Sequence, residues 1–197
     1  VVDGQCTQLV LSGAGGTRIP LVQSPPGSRT ITCREFIGGN QAGLQWPFGT
    51  SVQGRKTQIL YTADEIRATC VDCNIFGSIG FNFRGNAVKT LQNFSVRMKN
   101  SSLTSLNTNF VQDSFKTVFN GTYTTSGPGW QYINLQSDFV WDGQRNIIVE
   151  ICFQNSASLP SPVPEVAGSS TTGNHTTLSP GLISACGLNT GSPLNAK

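Results

Sequence analysis

Residues 130–153 read WQYINLQSDFVWDGQRNIIVEICF, and this stretch decides the fold class. Two dense apolar runs, 139–141 and 147–153, flank an Asp142-Gly143 step. Asp-Gly between apolar runs signals a chain reversal between antiparallel strands, because glycine accepts a positive φ. Successive side chains of a strand point to opposite faces. Ile147, Val149, Ile151 and Phe153 therefore share one face, and Ile148, Glu150 and Cys152 share the other. Both faces are largely apolar, which places this strand centrally, between two layers.

The same two-residue period recurs outward from that stretch. In LQNFSVRMKN (91–100), Phe94, Val96 and Met98 face one way, and Ser95, Arg97 and Lys99 the other. IFGSIGFNF (75–83) and SFKTVFNGTYT (114–124) add further strands, and Ser126-Gly127-Pro128-Gly129 is a turn. Gln58 to Tyr61 reads as another strand. It runs into Thr62-Ala63-Asp64-Glu65, a capping box with Thr62 as N-cap and Glu65 three positions on. Acids in that first turn suit the helix dipole. One short helix follows, to about Ala68. Many short strands at ~8–12-residue spacing are the pattern of sandwiches and jelly rolls. The expected fold is all-β, a jelly-roll-like antiparallel β-sandwich with one short helix.

Three regions are expected. Residues 1–44 carry short β-rich pieces (TQLVLSG, TRIPLVQ, RTITCREFIGG) broken by Gly- and Pro-rich turns. They read as an N-terminal extension or part of a neighbouring module. Residues 45–155 form the sandwich core. Residues 156–197 form a loose Ser/Thr/Pro-rich segment, with a closing strand at GLISACGL around Cys186.

Composition bounds the function. The 197 residues are 37% hydrophobic, enough for a sizeable core, and only 12% charged. A charged share of about half the usual ~25% leaves the surface to Ser, Thr, Asn, Gln and Gly. That suits an extracellular β-protein. The net charge is +3, and the thirteen Lys and Arg are scattered without a basic stripe, so nucleic acid is not an expected partner. No apolar run approaches the ~20 residues of a membrane helix, and membrane insertion is not expected. The opening VVDGQC has no signal-peptide pattern, and the chain reads as a mature or excised fragment.

Six cysteines, Cys6, Cys33, Cys70, Cys73, Cys152 and Cys186, favour disulfides and an oxidising compartment. Fifteen pairings are combinatorially open. The pairing expected is Cys152–Cys186, Cys6–Cys33 and a local Cys70–Cys73 bridge. The CxxC spacing of Cys70 and Cys73 also occurs in zinc and redox sites. Zinc needs a second pair, and a thioredoxin-like site needs a βαβ context.

Other chemistry-bearing residues point mostly to structure. The single histidine, His175, lies in a loose Asn-His-Thr stretch, where nothing would hold it as a catalytic base. Glu150 sits inside an apolar strand and calls for a cation such as Arg97. No cofactor is expected; a structural calcium held by loop carboxylates and carbonyls is the one metal left open. Trp46, Trp130 and Tyr132, with Trp141, are candidates for a glycan-stacking platform. Asn93, Asn100, Asn120 and Asn174 head N-x-Ser/Thr sequons and are candidate glycosylation sites.

Four segments carry a family resemblance: TQILYTADEIRA (57–68), LQNFSVRMKNSSLTSLNTNF (91–110), TVFNGTYTTSGPGW (117–130) and FVWDGQRNIIVEICFQN (139–155). In order and spacing they resemble a β-sandwich module of very large secreted surface proteins of Bacteroidetes. These include gliding-motility and adhesin-like polypeptides exported by the type IX secretion system. The likeness covers about residues 45–155, and SACG around Cys186 resembles the family's closing strand, whereas residues 1–44 match poorly. It implies a repeated or stacked sandwich for adhesion, spacing or fibre building, with no catalytic motif to carry over. The function expected is thus a non-enzymatic extracellular structural or adhesive module. Its partners would be neighbouring copies or domains of the same surface assembly. The alternative is a carbohydrate-binding module that reads glycans through exposed Trp and Tyr.

Overall fold

The computed structural model describes residues 43–69, 74–169, 171 and 184–197 with their side chains; strands at 5–6, 9–10, 30–31, 41–42 and 176–181 are described as backbone. In chain order the elements are β1 (Gln5–Cys6), β2 (Leu9–Val10), β3 (Thr30–Ile31), β4 (Gln41–Leu44), β5 (Gly54–Tyr61), α1 (Ala63–Thr69), β6 (Ile75–Phe83) and β7 (Thr90–Ser101). Then follow β8 (Lys116–Thr124), β9 (Gly129–Val140), β10 (Asn146–Gln154), β11 (Val166–Gly168), β12 (Thr176–Gly181), a 3-10 turn (Ala185–Gly187) and β13 (Ser192–Leu194).

Two sheets enclose one main core. The six-stranded sheet runs β13-β12-β5-β10-β7-β8 and is antiparallel throughout. β10 lies inside it, paired to β5 on one side and β7 on the other, as its two apolar faces require. The seven-stranded sheet is built around β6. One edge of β6 pairs along its length with β9; the other is taken in turn by β1 at Phe76, β2 at Ile79 and Gly80, and β11 at Phe83. β3 and β4 add outside β1 and β11.

The alternation read from sequence holds. Ile147, Val149, Ile151 and Phe153 lie in the core between the sheets with Phe94, Val96 and Met98 from β7, and Ile79, Phe81 and Phe83 from β6. Phe48, from the loop before β5, locks the two walls together. Its ring lies 4.9 Å from Phe81 and from Phe83 in one sheet, and 6.2 Å from Phe94 in the other. The capping box forms: Thr62 N–H donates to Glu65 Oε2 at 2.8 Å, and Glu65 N–H to Thr62 Oγ1 at 3.3 Å.

Several expectations are corrected. The Asp142-Gly143 reversal does not join paired strands: β9 belongs to the sheet of β6, and β10 to the other. Asp142 Oδ1 accepts the N–H groups of Gln144 and Arg145, and Gly143 takes φ 75°. The turn is an inter-sheet corner, plugged by the buried Trp141, whose Nε1 donates to Arg145 O at 2.6 Å. Residues 1–44, read as an extension or part of a neighbouring module, supply β1 to β4, which pair within the sheet of β6. Three of the resulting pairings (β1–β3, β1–β6, β2–β6) are parallel, so the expected antiparallel pattern is incomplete. The tail read as loose contains β11, β12 and β13. The closing strand placed around Cys186 is instead the 3-10 turn, and the strand is β12, which ends at Gly181.

The edges of the two sheets are sewn together where β8 meets β9. The register of β9 against β6 breaks between Phe139 and Asn134, which frees the intervening residues from the ladder. Gln136 then accepts from Asn120 N–H and donates to Asn120 O, both at 3.0 Å. Ser137 donates to Thr117 O, and Lys116 donates to Asp138 O at 2.5 Å. A bulge converts two open edges into a side-chain seam, one of the ways a sheet avoids edge-to-edge aggregation.

Candidate functional site

On the outer face of the six-stranded sheet, β10 turns Glu150 away from the core, and the antiparallel register sets Gln58 of β5 and Arg97 of β7 on either side of it. The carboxylate is 1% exposed. Arg97 donates to Oε1 from Nε at 2.7 Å and from Nη2 at 2.5 Å. Gln58 Nε2 donates to Oε2 at 2.7 Å, and Lys56 Nζ lies 3.6 Å from the same oxygen. The Arg97 partner expected from sequence is in place. Lys56 is fully buried; burial lowers its pKa, and the Glu150 charge pulls the other way.

What buries these charges is a loop, not a third sheet. Residues 102–115, between β7 and β8, cross over the row. Val111 presents N–H and C=O to the amide of Gln58, at 2.9 and 2.6 Å. Leu106 packs with Leu60 and Ile148 in a second small core. Phe110 lies under Lys56 Nζ at 4.8 Å, and Phe115 under Arg97 at 5.0 Å, so both cations meet ring faces. Lys56 Nζ also donates to Leu188 O at 2.8 Å, and Phe110 N–H donates to Asn189 O at 2.9 Å, which ties both β5 and the strap to the C-terminal segment. Sequence reading missed Lys56, Gln58, Phe110 and Phe115. The signal available was Glu150 itself, since a carboxylate in a central strand needs donors on both neighbouring strands.

Chemically this row is saturated. Both oxygens of Glu150 are held by donors, and no nucleophile lies in hydrogen-bond contact with it among the described residues. Among the described residues no group of three or more His, Cys, Asp or Glu side chains could hold a metal ion. His175 lies outside the described residues, as do Cys33, Cys70, Cys73 and the side chain of Cys6. Cys152 and Cys186 form a disulfide, Cα to Cα 5.5 Å, as the expected pairing has it. It fastens β10 to the 3-10 turn on the same outer face as Glu150.

The candidate aromatic platform contracts. Trp46 and Trp141 are buried at 9% and 3% exposure, so neither can stack on a glycan. Trp130 and Tyr132 remain. They alternate with the buried Gln131 and Ile133 on β9 and project from the outer face of the β6 sheet, half-buried. Their rings stack with centroids 6.4 Å apart and planes at 23°. Across the ladder Tyr132 faces Gly80.

The sequons separate by the state of their side-chain nitrogen. Asn93 is exposed but donates from Nδ2 to Gln154 O, and Asn100 donates from Nδ2 to Val140 O, each at 3.1 Å. Asn120 stands exposed on the edge strand β8. Asn174 lies outside the described residues. No helix among the described residues is long and apolar enough to cross a membrane.

The chain matches no family model, no curated protein and no solved structure.

Proposed function

We propose that this chain is a non-enzymatic structural or adhesive module of a secreted bacterial surface protein or fibre, stacked against neighbouring copies or domains. The observation that carries the reading is the use made of the most reactive-looking group in the described fold. Glu150, a buried carboxylate, has both oxygens committed to Arg97, Gln58 and Lys56, and these in turn hold the loop through Phe115, Val111 and Phe110. Around it the disulfide, the Phe48 lock and the β8–β9 seam brace the same sandwich. Chain chemistry is spent on stiffness and on covering edges, which is what a load-bearing or spacing unit requires. The Cys152–Cys186 bridge supports an oxidising, extracellular location. The four segments quoted for the surface-protein resemblance fall on β5, β7, β8 and β10, the strands that frame the strap, and on α1. Mass measurement and electron microscopy of material taken from its native surface test this. Extended or multi-copy particles are expected, and a short monodisperse monomer would overturn the reading.

A second reading, glycan binding, is favoured by the Trp130–Tyr132 pair on an outer sheet face. Glycan-array binding abolished by Trp130→Ala, with the circular dichroism unchanged, would raise it above the first.

A further inference from the structure

The end of the sandwich opposite the α1 helix carries a second buried polar group that the strap does not use. Arg55 and Thr57 share the face of β5 that bears Ile59 and Tyr61, so they project between the sheets. Arg55 stands across the ladder from Phe153, a core residue. One step further, Asn155 N–H donates to Gln53 O at 2.7 Å, which extends the ladder and sets Asn155 diagonally from Arg55. Thr50 lies on the loop leading into β5, its carbonyl accepting from Leu159 N–H at 2.9 Å.

All four side chains are withdrawn from water: Arg55 is 8% exposed, Asn155 4%, and Thr50 and Thr57 fully buried. Each has a buried atom without a partner, namely Arg55 Nε, Thr57 Oγ1, Thr50 Oγ1 and Asn155 Nδ2. The Asn155 amide is oriented by its other end, since Oδ1 accepts Gln92 N–H at 2.7 Å. Every one of these atoms can donate a hydrogen bond, and one belongs to a cation that keeps its proton. Among the described residues no carboxylate reaches Arg55; the ion pairs formed by other side chains all lie elsewhere. Burial lowers its pKa, and among the described residues no neighbouring charge offsets that. A guanidinium whose Nε is buried without a partner, and which no described carboxylate neutralises, is costly for a fold to hold, and a native protein compensates it. Water could satisfy the hydrogen bonds but not the charge. An oxyanion does both.

We propose that this end of the sandwich is a binding site for a small oxyanion of the sulfate or phosphate class, held by Arg55 with Thr57, Asn155 and Thr50. The anion ties β5, β10 and the loop before β5 together at the mouth of the core. It is independent of whether the module spaces, adheres or binds glycans.

The test is thermal unfolding of the full chain in chloride buffer against rising sodium sulfate. Sulfate stabilises most proteins in near-linear fashion by exclusion from their surface, whereas a bound ion adds a saturable rise. Wild type is expected to show the saturable component. Arg55→Met is expected to lose it, keep the linear one, and melt higher than wild type when sulfate is absent. Should Arg55→Met fail to fold, the near-isosteric Thr57→Val is expected to raise the half-saturating sulfate concentration by roughly tenfold, the loss of about one hydrogen bond to a charged group. Purely linear curves of equal slope in wild type and Arg55→Met, or a half-saturation unmoved in Thr57→Val, would overturn the site and leave it to water.

Discussion

At the scale of single residues, Glu150 concentrates the most interaction on one side chain. Removing it by Glu150→Ala strands Lys56, which is fully buried, and frees one donor of Gln58. Breaking a buried pair from one side costs about 3–5 kcal/mol. Urea unfolding is expected to show a loss of that order, with Lys56→Met added to Glu150→Leu recovering much of it; a loss below ~1 kcal/mol would mean the row is not load-bearing. Glu65 and Asp142 make stability sensitive to acid. Burial pushes the pKa of Glu65 up, but Lys197 and the Thr62 N–H and hydroxyl outweigh it, and the net direction is down. Asp142 is likewise raised by burial and lowered further by the N–H groups of Arg145 and Gln144 and by the Arg145 side chain. A carboxyl depressed in the folded state contributes stability that is complete above its unfolded pKa, about 4, and fades as pH falls through the folded value. The melting temperature is therefore expected to drop as pH falls below about 4, and Asp142→Asn to flatten the drop; an identical pH slope in that variant would refute the assignment.

Among elements, the strap over 102–115 is the most informative. It has no regular secondary structure, yet it buries Leu106 and Phe110 and covers three cationic or amide side chains of the sheet. Its central clamp is one glutamine, which offers Val111 the two bonds a neighbouring strand would. Gln58→Leu keeps the volume and removes the clamp. Hydrogen exchange at the Val111 amide is expected to quicken by at least tenfold, with the β5–β10 ladder amides unchanged, the loss of about 1.4 kcal/mol of local protection. Equal protection in the variant would show that packing of Leu106 and Phe110 alone holds the loop. The corner at 141–145 is the second such element. Trp141 fills the gap between sheets, so the Asx turn can hand the chain from one wall to the other.

Over the whole molecule, closure depends on pieces distant in sequence. The Cys152–Cys186 bridge spans 34 positions. Under the loop-entropy account it contributes about 3–4 kcal/mol. The double replacement Cys152→Ala with Cys186→Ala is expected to lower stability by that amount in chemical denaturation, and an unchanged midpoint would show that the tail is held by β12 and β13 instead. The N-terminal strands carry a larger stake. Without them one long edge of β6 would keep only its pairing to β11 at Phe83. A chain beginning at residue 41 is expected to aggregate or to lose near-ultraviolet dichroism, because an unpaired central strand recruits other edges. A soluble, cooperatively folding truncation would restore the view of residues 1–44 as a separate extension.

Local patterns were legible in the amino-acid sequence wherever the physics is local. The faces of β7 and β10, the capping box at Thr62 and Glu65, and the need of Glu150 for an arginine follow from two-residue alternation, backbone donors at a helix start and the cost of a dry charge. Tertiary structure decided which strand neighbours which. An Asp-Gly turn between apolar runs specifies a reversal but not a partner, so β9 and β10 diverge into opposite sheets. β1, β2 and β11 are two or three residues long, too short for periodicity to register, and they become strands only because β6 offers them an edge. The burial of Lys56 and Gln58 was likewise invisible, since alternating polar residues look solvated until a loop some fifty positions away, at Val111, closes over them.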